Sequence, residues 1–521
     1  MERANNTVCA AFQATAAANP DAVALRTKGG AIEITWGEYA ERVRTIAGGL
    51  HRLGLRRGDT MALMLTNRPE FHLLDAAAMH LGAVPFSIYN TSSSEQAEFL
   101  LRDSGAKIGV VEPSFRDRMS IEHVIEVDLL DELEGDPDLD FDAAWQAVEP
   151  DDLLTLIYTS GTTGDPKGVQ LTHRNMCFTM DAYDQVLRFP RGGRVVSYLP
   201  MAHVAERNCS HYFPMAFGFT VTCCPHAREV VSYLPEVRPS WFFAVPRIFE
   251  KLKASIESGG GPPEAAEELA ALRESLGLDR IQALNVGAAP TPPEVIEFFH
   301  SIGLPLGELW GMSETNAIGA CNPPDRIKIG TVGPAVPGVE IRLAGDGEVE
   351  LRGDCVFAGY RGQEELTRET FTEDGWLKTG DIGALDEDGY LAIVDRKKEL
   401  IINAAGKNMS PANIESTLKA ASPLIGSVVV IGDRRPFNVA LIVLDPDAAA
   451  NADSPEDAIA EAVETANARL SNVEKIRRHK VLDAEWEPGG DELTPTMKLK
   501  RRPIAEKYAG EIEALYEREQ G

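Results

Sequence analysis

The chain has 521 residues and a mass of 56.6 kDa, a length that exceeds one compact core and predicts about three packing units. Charged residues make up 25% and hydrophobic residues 44% of the sequence, which argues against a disordered, collagen-like or coiled-coil protein. The formal net charge of −29 argues against non-specific binding to nucleic acid or to an anionic membrane surface.

The first residues and the cysteines both bear on the cellular compartment. Residues 1–20 do not combine a basic start with an apolar run, and no stretch approaches the ~18 apolar residues that span a bilayer. We therefore expect a cytoplasmic protein without a transmembrane segment. The seven cysteines are an odd number and show no CxxC spacing, so the sequence predicts neither a disulfide framework nor a zinc site.

The first third of the chain alternates between two hydrophobic patterns. Apolar residues at three- and four-residue spacing predict an amphipathic helix over residues 36–53. Short apolar runs then predict buried strands, with helical patterns between them, and the strands are 61–65, 84–88 and 108–111 and the helices 70–81 and 94–101. Strands that alternate with helices pair in parallel, so this part is predicted to be α/β.

Two segments are predicted to connect elements at the surface. Residues 126–152 contain twelve acidic residues and no Lys or Arg, a pattern typical of a solvated connection rather than a cation site. Residues 258–263 (SGGGPP) are predicted to form a flexible loop between helices.

After about residue 395 the sequence consists of short segments, which predict a small α+β unit. The expected strands are 400–402, 428–431 and 440–444, and the expected helices are 411–418, 457–470 and 504–516. Its length of about 125 residues lies within the range of an independent domain. We place a boundary near Lys397, which divides the chain into domains 1–396 and 397–521.

The segment from Tyr158 to Gly168, YTSGTTGDPKG, follows an apolar strand pattern at residues 153–157 and predicts a phosphate-binding turn. Its glycines allow a close backbone approach, and its hydroxyl and N–H groups can cradle phosphate oxygens. The segment does not fit G-x-x-x-x-G-K-[ST] counted from Gly161, because Pro166 stands at the second glycine position. A P-loop nucleotide hydrolase is therefore disfavoured.

This turn resembles the phosphate-binding signature of the acyl-adenylate-forming superfamily. Further motifs of that superfamily follow in the same order along the chain: YLPMAH (198–203), NVGAAP (285–290), LWGMSET (309–315), KTGD (378–381), VDRKKEL (394–400) and PTMKLK (495–500). The stretches 200–207, 243–250 and 494–501 are most similar to long-chain fatty acyl-CoA synthetases. The resemblance implies a large N-terminal α/β domain of layered sheets and helices and a small mobile α+β C-terminal domain.

The resemblance also implies an activity in two steps. A carboxylate and MgATP would give acyl-AMP and pyrophosphate, and the thiol of coenzyme A would then displace AMP. The implied ligands are ATP, Mg²⁺, coenzyme A and a carboxylic acid, most like a fatty acid. Such a reaction depends on positioning and on shielding the charge of two anions.

The resemblance assigns most of the nucleotide site. It implies that the phosphates contact Thr159, Ser160, Gly161, Thr162, Thr163, Gly164 and Lys167, and that Gly287, Ala288 and Ala289 face the adenine. It implies stacking by Trp310, next to Gly311, and a phosphate contact from Ser313. Asp381 would accept the ribose hydroxyls, Arg396 would reach the ribose or α-phosphate, and Glu314 would bind Mg²⁺.

Several of these residues have a structural alternative. Trp310 could be a core aromatic, Asp381 a helix or turn cap, and Glu314 a surface carboxylate. His203, implied as a catalytic wall residue, could be a hydrogen-bonded core histidine. Arg247 fits a structural ion pair as well as the site.

The small domain is expected to contribute Lys498 as the adenylation lysine, although Lys500 lies two residues on and Met497 replaces a commonly found glycine. The resemblance places the hinge of the domain rotation at Lys397. It places the coenzyme A channel at the loop around Gly406 and Lys407.

Other functions remain open at this point. The chain could adenylate an aryl, medium-chain or amino acid and pass it to coenzyme A or to a carrier protein. It could instead be an inactive nucleotide- or acyl-binding protein, or a P-loop phosphotransferase that produces ADP. Gly311, Ala317 and Gly319 fit a tunnel for a long alkyl chain but also fit a need for close backbone packing. Chain length, oligomeric state and peripheral membrane association are left undetermined.

Overall fold

The computed structural model describes residues 7–159, 165–404, 407–450, 454–494 and 497–517. The helices of the large N-terminal part are α1 Val8–Ala18, α2 Trp36–Arg52, α3 Pro69–His80, α4 Ser94–Ser104, α5 Phe141–Gln146, α6 His173–Leu187, α7 Val204–Glu206, α8 Phe213–Phe217, α9 Val230–Val237, α10 Pro246–Ser258, α11 Ala266–Ser275, α12 Pro293–Ser301 and α13 Glu364–Thr370. A π-helical segment, Arg207–Tyr212, joins α7 to α8.

The strands of the large part are β1 Val23–Thr27, β2 Glu33–Thr35, β3 Thr60–Met64, β4 Val84–Ser87, β5 Ile108–Val111, β6 His123–Glu126, β7 Leu153–Thr159, β8 Lys167–Thr172, β9 Arg194–Ser197, β10 Thr220–Cys223, β11 Trp241–Ala244, β12 Ala283–Val286, β13 Leu306–Trp310, β14 Ala320–Cys321, β15 Glu340–Leu343, β16 Glu348–Arg352, β17 Gly359–Tyr360, β18 Leu377–Leu385 and β19 Leu391–Arg396. Three-residue 3₁₀ turns lie at Lys28–Gly30, Ala227–Glu229 and Ser313–Thr315, and longer ones at Pro113–Arg118 and Val127–Glu132.

These strands form four sheets. The largest has the order β17-β8-β7-β4-β3-β5-β6, and the others are β2-β1-β10-β9, β11-β12-β13-β14 and β15-β16-β18-β19. The pairs β3–β4 and β3–β5 are parallel, as the alternation of strands and helices predicts. The strands β7 and β8 are antiparallel, so the predicted phosphate turn connects them as a hairpin. The large α/β domain is therefore confirmed.

The acidic connection at residues 126–152 is more ordered than the sequence predicts. It contains α5 and packs on α2, where a Cβ at Gly48 would come within 2.5 Å of the backbone nitrogen of Asp136. Its carboxylates pair with basic residues of α2, as in the Arg44–Asp142 contact at 2.8 Å. The segment thus covers one face of α2, and most of its described acidic residues are exposed, as the sequence predicts for a solvated connection.

The small C-terminal part contains the strands β20 Ile401–Ile402, β21 Asn408–Met409, β22 Ile425–Ile431, β23 Asn438–Leu444 and β24 Ile476–Val481 and the helices α14 Pro411–Ala421, α15 Pro446–Ala449, α16 Pro455–Arg469, α17 Arg501–Lys507 and α18 Ala509–Glu517. Its sheet has the order β22-β23-β24. Side chains alternate along β22, so Val428 and Val430 pack with α14 and α16, while Val429 packs with the last helices.

The single helix expected over residues 504–516 is two helices. The break falls at Tyr508, whose backbone angles (φ −105°, ψ 26°) leave the helical region. Trp486 donates its indole N–H to the Tyr508 hydroxyl at 3.1 Å, and that hydroxyl donates to Glu492 at 3.1 Å. Tertiary contacts of this side chain therefore interrupt a pattern that is helical in the sequence.

Ion pairs hold the small domain against the large one. Arg247 of α10 pairs with Asp445, which precedes α15, and Lys419 of α14 pairs with Glu250 at 3.3 Å. Nearer the connection between the domains, the Ser410 hydroxyl donates to Asp395 at 2.5 Å. These contacts hold the small domain in one orientation against α10 and β19. None of the described helices combines the length and apolar character that crossing a bilayer requires.

Candidate functional site

The β7–β8 hairpin carries the predicted phosphate turn. Thr159, the last residue of β7, lies opposite Lys167, the first residue of β8. The Lys167 ammonium lies 5.3 Å from the centre of the Tyr360 ring. The remaining predicted phosphate ligands lie outside the described residues, and they are Ser160, Gly161, Thr162, Thr163 and Gly164. The described part of the hairpin places a hydroxyl and a cation at the base of the turn.

Glu314 lies beside this hairpin base. Its side chain is buried, and the Tyr360 hydroxyl donates to its Oε1 at 2.7 Å. Burial and the Glu314 charge raise the pKa of Tyr360, so the hydroxyl remains a donor. Because Tyr360 touches both Lys167 and Glu314, the predicted phosphate lysine and the predicted magnesium carboxylate lie together. Glu314 is not a surface carboxylate.

The turn after Glu314 is strained. Asn316 and Ala317 adopt left-handed backbone angles, with φ values of 55° and 60°. The Asn208 amide donates to the Asn316 carbonyl at 2.8 Å, and the Asn316 amide donates to Thr179 at 3.0 Å. Two consecutive non-glycine residues in this region are costly, so their persistence requires such surrounding contacts.

Asp381 joins two predicted nucleotide ligands. The Trp310 indole Nε1–H donates to Asp381 Oδ2 at 2.7 Å, and Arg396 Nε lies 2.7 Å from Asp381 Oδ1. Asp381 is 4% exposed. Burial raises the pKa of Asp381, while Arg396 and Trp310 oppose that rise. A buried carboxylate held by side chains of two separate strands is no simple turn cap.

Three small residues form the loop predicted to face the adenine. Gly287 is buried at the end of β12, Ala288 has a left-handed φ of 69°, and Ala289 is exposed. A Cβ on Gly287 would lie 3.0 Å from the Leu309 carbonyl oxygen. The loop therefore approaches β13 closely, next to Trp310.

Gly311 and Gly319 are explained by packing. A Cβ on Gly311 would lie 2.4 Å from the backbone carbon of Ala317, and a Cβ on Gly319 would lie 2.6 Å from the Trp310 ring. Real Cβ atoms do not come so close, so both positions need glycine. This contact favours the interpretation of close backbone packing over that of an alkyl tunnel.

The sequence does not point to Glu308, which precedes Trp310 by two residues in β13 and therefore lies on the same face of the strand. Thr291 donates its backbone N–H to Glu308 at 3.3 Å, and burial raises the pKa of Glu308 to about 7. The period of two along a strand could have found it. Tyr360 and Glu348 were also missed, and no local pattern marks either of them.

His203 lies at the start of α7. The backbone N–H of Ala205 donates to His203 Nδ1 at 3.3 Å. A ring nitrogen that accepts a hydrogen bond carries no proton, so the neutral ring has its proton on Nε2. Burial, with a contribution from the Lys498 charge, lowers the pKa of His203 to about 3. The ring is therefore a neutral donor near Lys498.

Glu206, also missed in the sequence, fixes the turn that leads to His203. Its carboxylate accepts the backbone N–H groups of Tyr198 and Leu199, at 3.0 and 3.1 Å. The Ser197 hydroxyl donates to the same carboxylate at 2.9 Å. Burial raises the pKa of Glu206 to about 7. These contacts hold the Tyr198–His203 segment against β9.

The small domain brings Lys498 into this cluster. Lys498 is exposed, but desolvation by the protein around it and the Arg396 charge lower its pKa. The charges of Asp381, Glu399 and Glu314 act in the opposite direction. Its side chain keeps contact with solvent, so it lies in an open cleft surrounded by protein. Lys498 thus faces the residues predicted to bind ribose and metal.

Lys500 is engaged elsewhere. Its ammonium donates to the Gly490 carbonyl at 2.8 Å. Met497, which stands where a glycine is common, has a left-handed φ of 67°. The backbone N–H of Lys498 donates to the Thr494 hydroxyl at 2.9 Å. Of the two candidate lysines, the structure brings Lys498 and not Lys500 to the cleft.

Lys397 follows β19 and is bound to the large domain. Its ammonium lies 2.6 Å from Asp346 and 2.7 Å from Glu348. These two carboxylates raise the pKa of Lys397 above its ordinary value. Glu348 also accepts the backbone N–H of Gly380 at 3.0 Å, and Lys397 donates its own N–H to the Gly380 carbonyl at 2.8 Å.

Two other predicted residues lie away from the cluster. Lys407 is exposed in the β20–β21 hairpin, where its backbone N–H donates to Asn403 at 3.0 Å, and the neighbouring Gly406 lies outside the described residues. Arg247 forms its ion pair with Asp445 across the domain interface, which is the structural alternative for that residue.

The donor set of the cleft fits magnesium bound together with a phosphate. Within the described ranges, no group of three or more His, Cys, Asp or Glu side chains forms a cage of its own. Mg²⁺ is commonly held by one or two carboxylates plus phosphate oxygens. The buried Glu314, beside the base of the phosphate turn, offers such a carboxylate.

The sequence matches known families over nearly its whole length. Residues 12–361 match the AMP-binding enzyme family, and residues 398–520 match the AMP-binding enzyme C-terminal domain. The chain belongs to the AMP-binding enzyme family. The second match begins directly after Lys397, the predicted domain boundary.

Relatives of this AMP-binding enzyme include acyl-CoA ligases. It is 46% identical over 432 residues to fadD11 of Mycobacterium tuberculosis, named provisionally as a fatty-acid–CoA ligase, with 72% of this chain and 76% of that protein covered. It is 36% identical over 564 aligned positions to the long-chain-fatty-acid–CoA ligase FadD15 of the same species, with 94% and 93% covered.

Solved structures share the fold of this AMP-binding enzyme. O-succinylbenzoate coenzyme A synthetase from Bacillus subtilis, in complex with ATP and magnesium ion, superimposes with a TM-score of 0.77 at 25% identity and covers 94% of this chain and 98% of that one. A Mycobacterium tuberculosis fatty acyl CoA synthetase gives 0.69 at 24% identity, with 97% and 99% covered.

The arrangement in this AMP-binding enzyme can neutralise several anions at once. Lys498, Arg396 and Lys167 supply positive charge, while Asp381 and Glu314 supply acceptor oxygens on the same cleft. Preorganised charges of this kind are the main catalytic device for reactions in which negative charge moves.

Proposed function

We propose that the protein is an AMP-forming acyl-CoA synthetase that activates a long-chain fatty acid with ATP and transfers the acyl group to coenzyme A. The observation that carries the proposal is the position of Lys498, a small-domain lysine that faces Asp381, Arg396 and Glu314 of the large domain. The names of FadD15 and fadD11 support the fatty acid as the substrate and coenzyme A as the acceptor.

In the first step a carboxylate oxygen attacks the α-phosphorus of ATP, and the bond from that phosphorus to the bridging oxygen breaks. The products are acyl-AMP and pyrophosphate. Two anions must approach each other, so charge neutralisation near the α-phosphate is the main requirement. Lys498 and Arg396 provide it, and Lys167 neutralises the leaving pyrophosphate.

His203 acts in this step as a hydrogen-bond donor and not as a general base. Its Nδ1 accepts the N–H of Ala205, and its lowered pKa keeps the ring neutral at physiological pH. The Nε2–H is then the group that can orient the substrate carboxylate. A carboxylate nucleophile carries no proton to remove, so no base is needed.

Glu314 would hold Mg²⁺ against the phosphates, and the ion supplies additional neutralisation of the transferred charge. The Tyr360 hydroxyl donates to Oε1 of Glu314 and so fixes the carboxylate through one of its two oxygens. Asp381 would accept the ribose hydroxyls, and the loop from Gly287 to Ala289 would face the adenine.

In the second step the coenzyme A thiolate, whose proton has passed to solvent, attacks the carbonyl carbon of acyl-AMP, and AMP leaves with the electron pair of the broken anhydride bond. We propose that the small domain rotates at Lys397 before this step, so that Lys498 leaves and the hairpin with Gly406 and Lys407 lines the coenzyme A channel. The orientation seen here, with Lys498 in the cleft, fits the first step.

A half-reaction assay tests the proposal. Purified protein receives ATP, Mg²⁺ and a panel of carboxylic acids, and pyrophosphate, AMP, ADP and acyl-CoA are measured with and without coenzyme A. We expect pyrophosphate and acyl-AMP with long-chain acids, and AMP and acyl-CoA only when coenzyme A is present. ADP as the product would indicate a phosphotransferase, and binding of ATP without any turnover would indicate an inactive binding protein.

The same panel separates the remaining substrates. Preference for aryl, medium-chain or amino acids would replace the fatty acid in the proposal, and acyl-AMP that accumulates despite coenzyme A would point to a carrier protein as acceptor. Lys500→Ala is the matched control for Lys498→Ala, because Lys500 binds the Gly490 carbonyl outside the cleft.

A further inference from the structure

Trp310 contacts Asp381 through a hydrogen bond and not only through its ring. The indole Nε1–H donates to Asp381 Oδ2 at 2.7 Å, and Arg396 occupies Oδ1. The backbone N–H of Asp381 donates to the Thr379 hydroxyl at 3.1 Å. A carboxylate has about four acceptor positions, so roughly one remains on each oxygen.

The indole ring cannot turn away from Asp381. Trp310 is 8% exposed and pairs in the sheet with Ala320 of β14. The six-membered ring lies directly over Gly319, where even a Cβ would come within 2.6 Å. The direction of the Nε1–H bond is therefore set by the packing of β13 and β14, and the donor is preorganised.

The two partners of Asp381 differ in what holds them. Trp310 lies in β13 and Asp381 in β18, so both belong to the large domain. Arg396 is the residue before Lys397, and its side chain is 47% exposed and lies next to Lys498 of the small domain. A rotation of the small domain changes the surroundings of Arg396 but leaves the Trp310–Asp381 bond intact.

We propose that Trp310 is a positioning residue whose indole N–H fixes the Asp381 carboxylate, so that its two remaining acceptor positions receive the two ribose hydroxyls in both half-reactions. This inference rests on the proposed nucleotide site. It assigns to the indole nitrogen a role separate from stacking, because a phenyl ring can also stack but donates no hydrogen bond.

Trp310→Phe tests the role with ATP, 2′-deoxy-ATP and 3′-deoxy-ATP as probes. A hydrogen bond to a charged acceptor corresponds to roughly a 10- to 100-fold change in affinity. We expect the KM for ATP to rise about 10-fold or more, while the KM for each deoxy analogue rises much less. The preference of the enzyme for ATP over the analogues therefore shrinks. An unchanged preference would overturn the inference.

The half-reactions supply a second readout. Trp310→Phe is expected to raise the KM for supplied acyl-AMP in thioester formation, because the ribose is held less firmly. The control Arg396→Gln is expected to slow pyrophosphate formation more than it slows thioester formation. If the two variants affect the two half-reactions in the same proportion, Trp310 does not act on both of them independently of the domain orientation. If the wild type itself does not distinguish ATP from the analogues, the proposed ribose site is wrong.

A measurement on the wild type covers the case that Trp310→Phe does not fold. With ¹⁵N-indole labelling, the six tryptophans give six N–H signals. One signal is expected to lie downfield, to exchange slowly and to move in Asp381→Asn, both with AMP and without it. If no signal responds to Asp381→Asn, the hydrogen bond is absent in solution and the inference fails.

Discussion

The carboxylate of Glu348 lies 2.7 Å from the ammonium of Lys397. Its other oxygen accepts the N–H of Gly380 at 3.0 Å, and Gly380 directly precedes Asp381. One buried side chain therefore touches both the proposed hinge and the turn that presents the proposed ribose ligand. Domain orientation and nucleotide binding are physically connected through this residue.

Glu348→Gln is expected to change both properties. The amide keeps one acceptor oxygen but has no charge. The ion pair with Lys397 is therefore lost, and the hydrogen bond from the Gly380 N–H becomes weaker. We expect the KM for ATP to rise roughly 3- to 10-fold, together with a changed rate of thioester formation from acyl-AMP. Single-turnover measurement of the two half-reactions checks this.

Asp346→Asn is the matched control, because Asp346 binds the same Lys397 ammonium but does not contact Gly380 through its side chain. It should alter the thioester step and leave the KM for ATP within about twofold. If both variants change the KM equally, Glu348 has no separate effect on the ribose turn.

The removal of Lys498 tests the central charge of the site. Lys498→Ala is expected to lower pyrophosphate formation by roughly 10²- to 10³-fold, the usual effect of deleting one preorganised donor. Conversion of supplied acyl-AMP to acyl-CoA should be largely kept. Lys500→Ala should leave the rate of adenylation close to that of the wild type. If Lys500→Ala lowers this rate as much as Lys498→Ala does, the assignment of Lys498 as the adenylation lysine is wrong.

The sequence predicts the helices and strands of this fold better than the contacts between residues that are distant in sequence. The helix at residues 36–53 and the strand at 108–111 are found within one residue of the expected bounds, because their periodicity is local. The bond between Trp310 and Asp381 joins residues 71 positions apart, and that between Tyr360 and Glu314 joins residues 46 apart. No local pattern encodes such pairs.

Residues of the site that motifs identify are those whose type is fixed by the ligand. Glu348 and Glu206 are not predicted from the sequence, because each binds backbone N–H groups and every sequence offers such groups. The packing of the acidic connection on α2 and the helix break at Tyr508 are not predicted either, because contacts with a distant element override local propensity.

Met497 is expected to tolerate glycine but not a β-branched residue. Its φ of 67° places it in the left-handed region, where side chains are strained and a branched Cβ is worst accommodated. Met497→Gly should keep the adenylation rate within about twofold, since glycine adopts this angle freely. Met497→Val should displace Lys498 and reduce adenylation by roughly tenfold or more.

The matched pair separates backbone geometry from side-chain packing. Both variants remove the exposed methionine side chain, so a purely side-chain role predicts equal effects. Equal rates for Met497→Gly and Met497→Val in the pyrophosphate assay would show that the left-handed angle is not needed to deliver Lys498.

The pH dependence of adenylation follows from Lys498 and His203. The pKa of Lys498 is lowered from its ordinary value of 10.5, and the reaction needs its protonated form. Activity should therefore fall as the pH rises, with a midpoint below 10.5. His203 has a pKa of about 3 and stays neutral above that, so it contributes no acid limb between about pH 5 and 8.

Rates of pyrophosphate formation measured from about pH 5 to about pH 10.5 check both statements. Lys498→Ala should lack the basic limb. His203→Asn, which retains a side-chain N–H donor, should show the same pH profile as the wild type at a reduced rate. A limb near pH 6 to 7 that disappears in His203→Asn would show that the imidazole titrates in the reaction and acts as a base.

The ion pair between Arg247 and Asp445 crosses the domain interface, and Lys251 adds a second cation 3.8 Å from the same carboxylate. These contacts exist in the orientation that places Lys498 in the cleft. Asp445→Asn is therefore expected to slow adenylation by roughly 2- to 10-fold while thioester formation from acyl-AMP stays equal or becomes faster.

Lys253→Gln is the control, because Lys253 pairs with Glu257 within α10 at 2.8 Å and does not bridge the domains. If Asp445→Asn slows both half-reactions alike and Lys253→Gln does the same, the pair stabilises the fold and does not select the adenylating orientation.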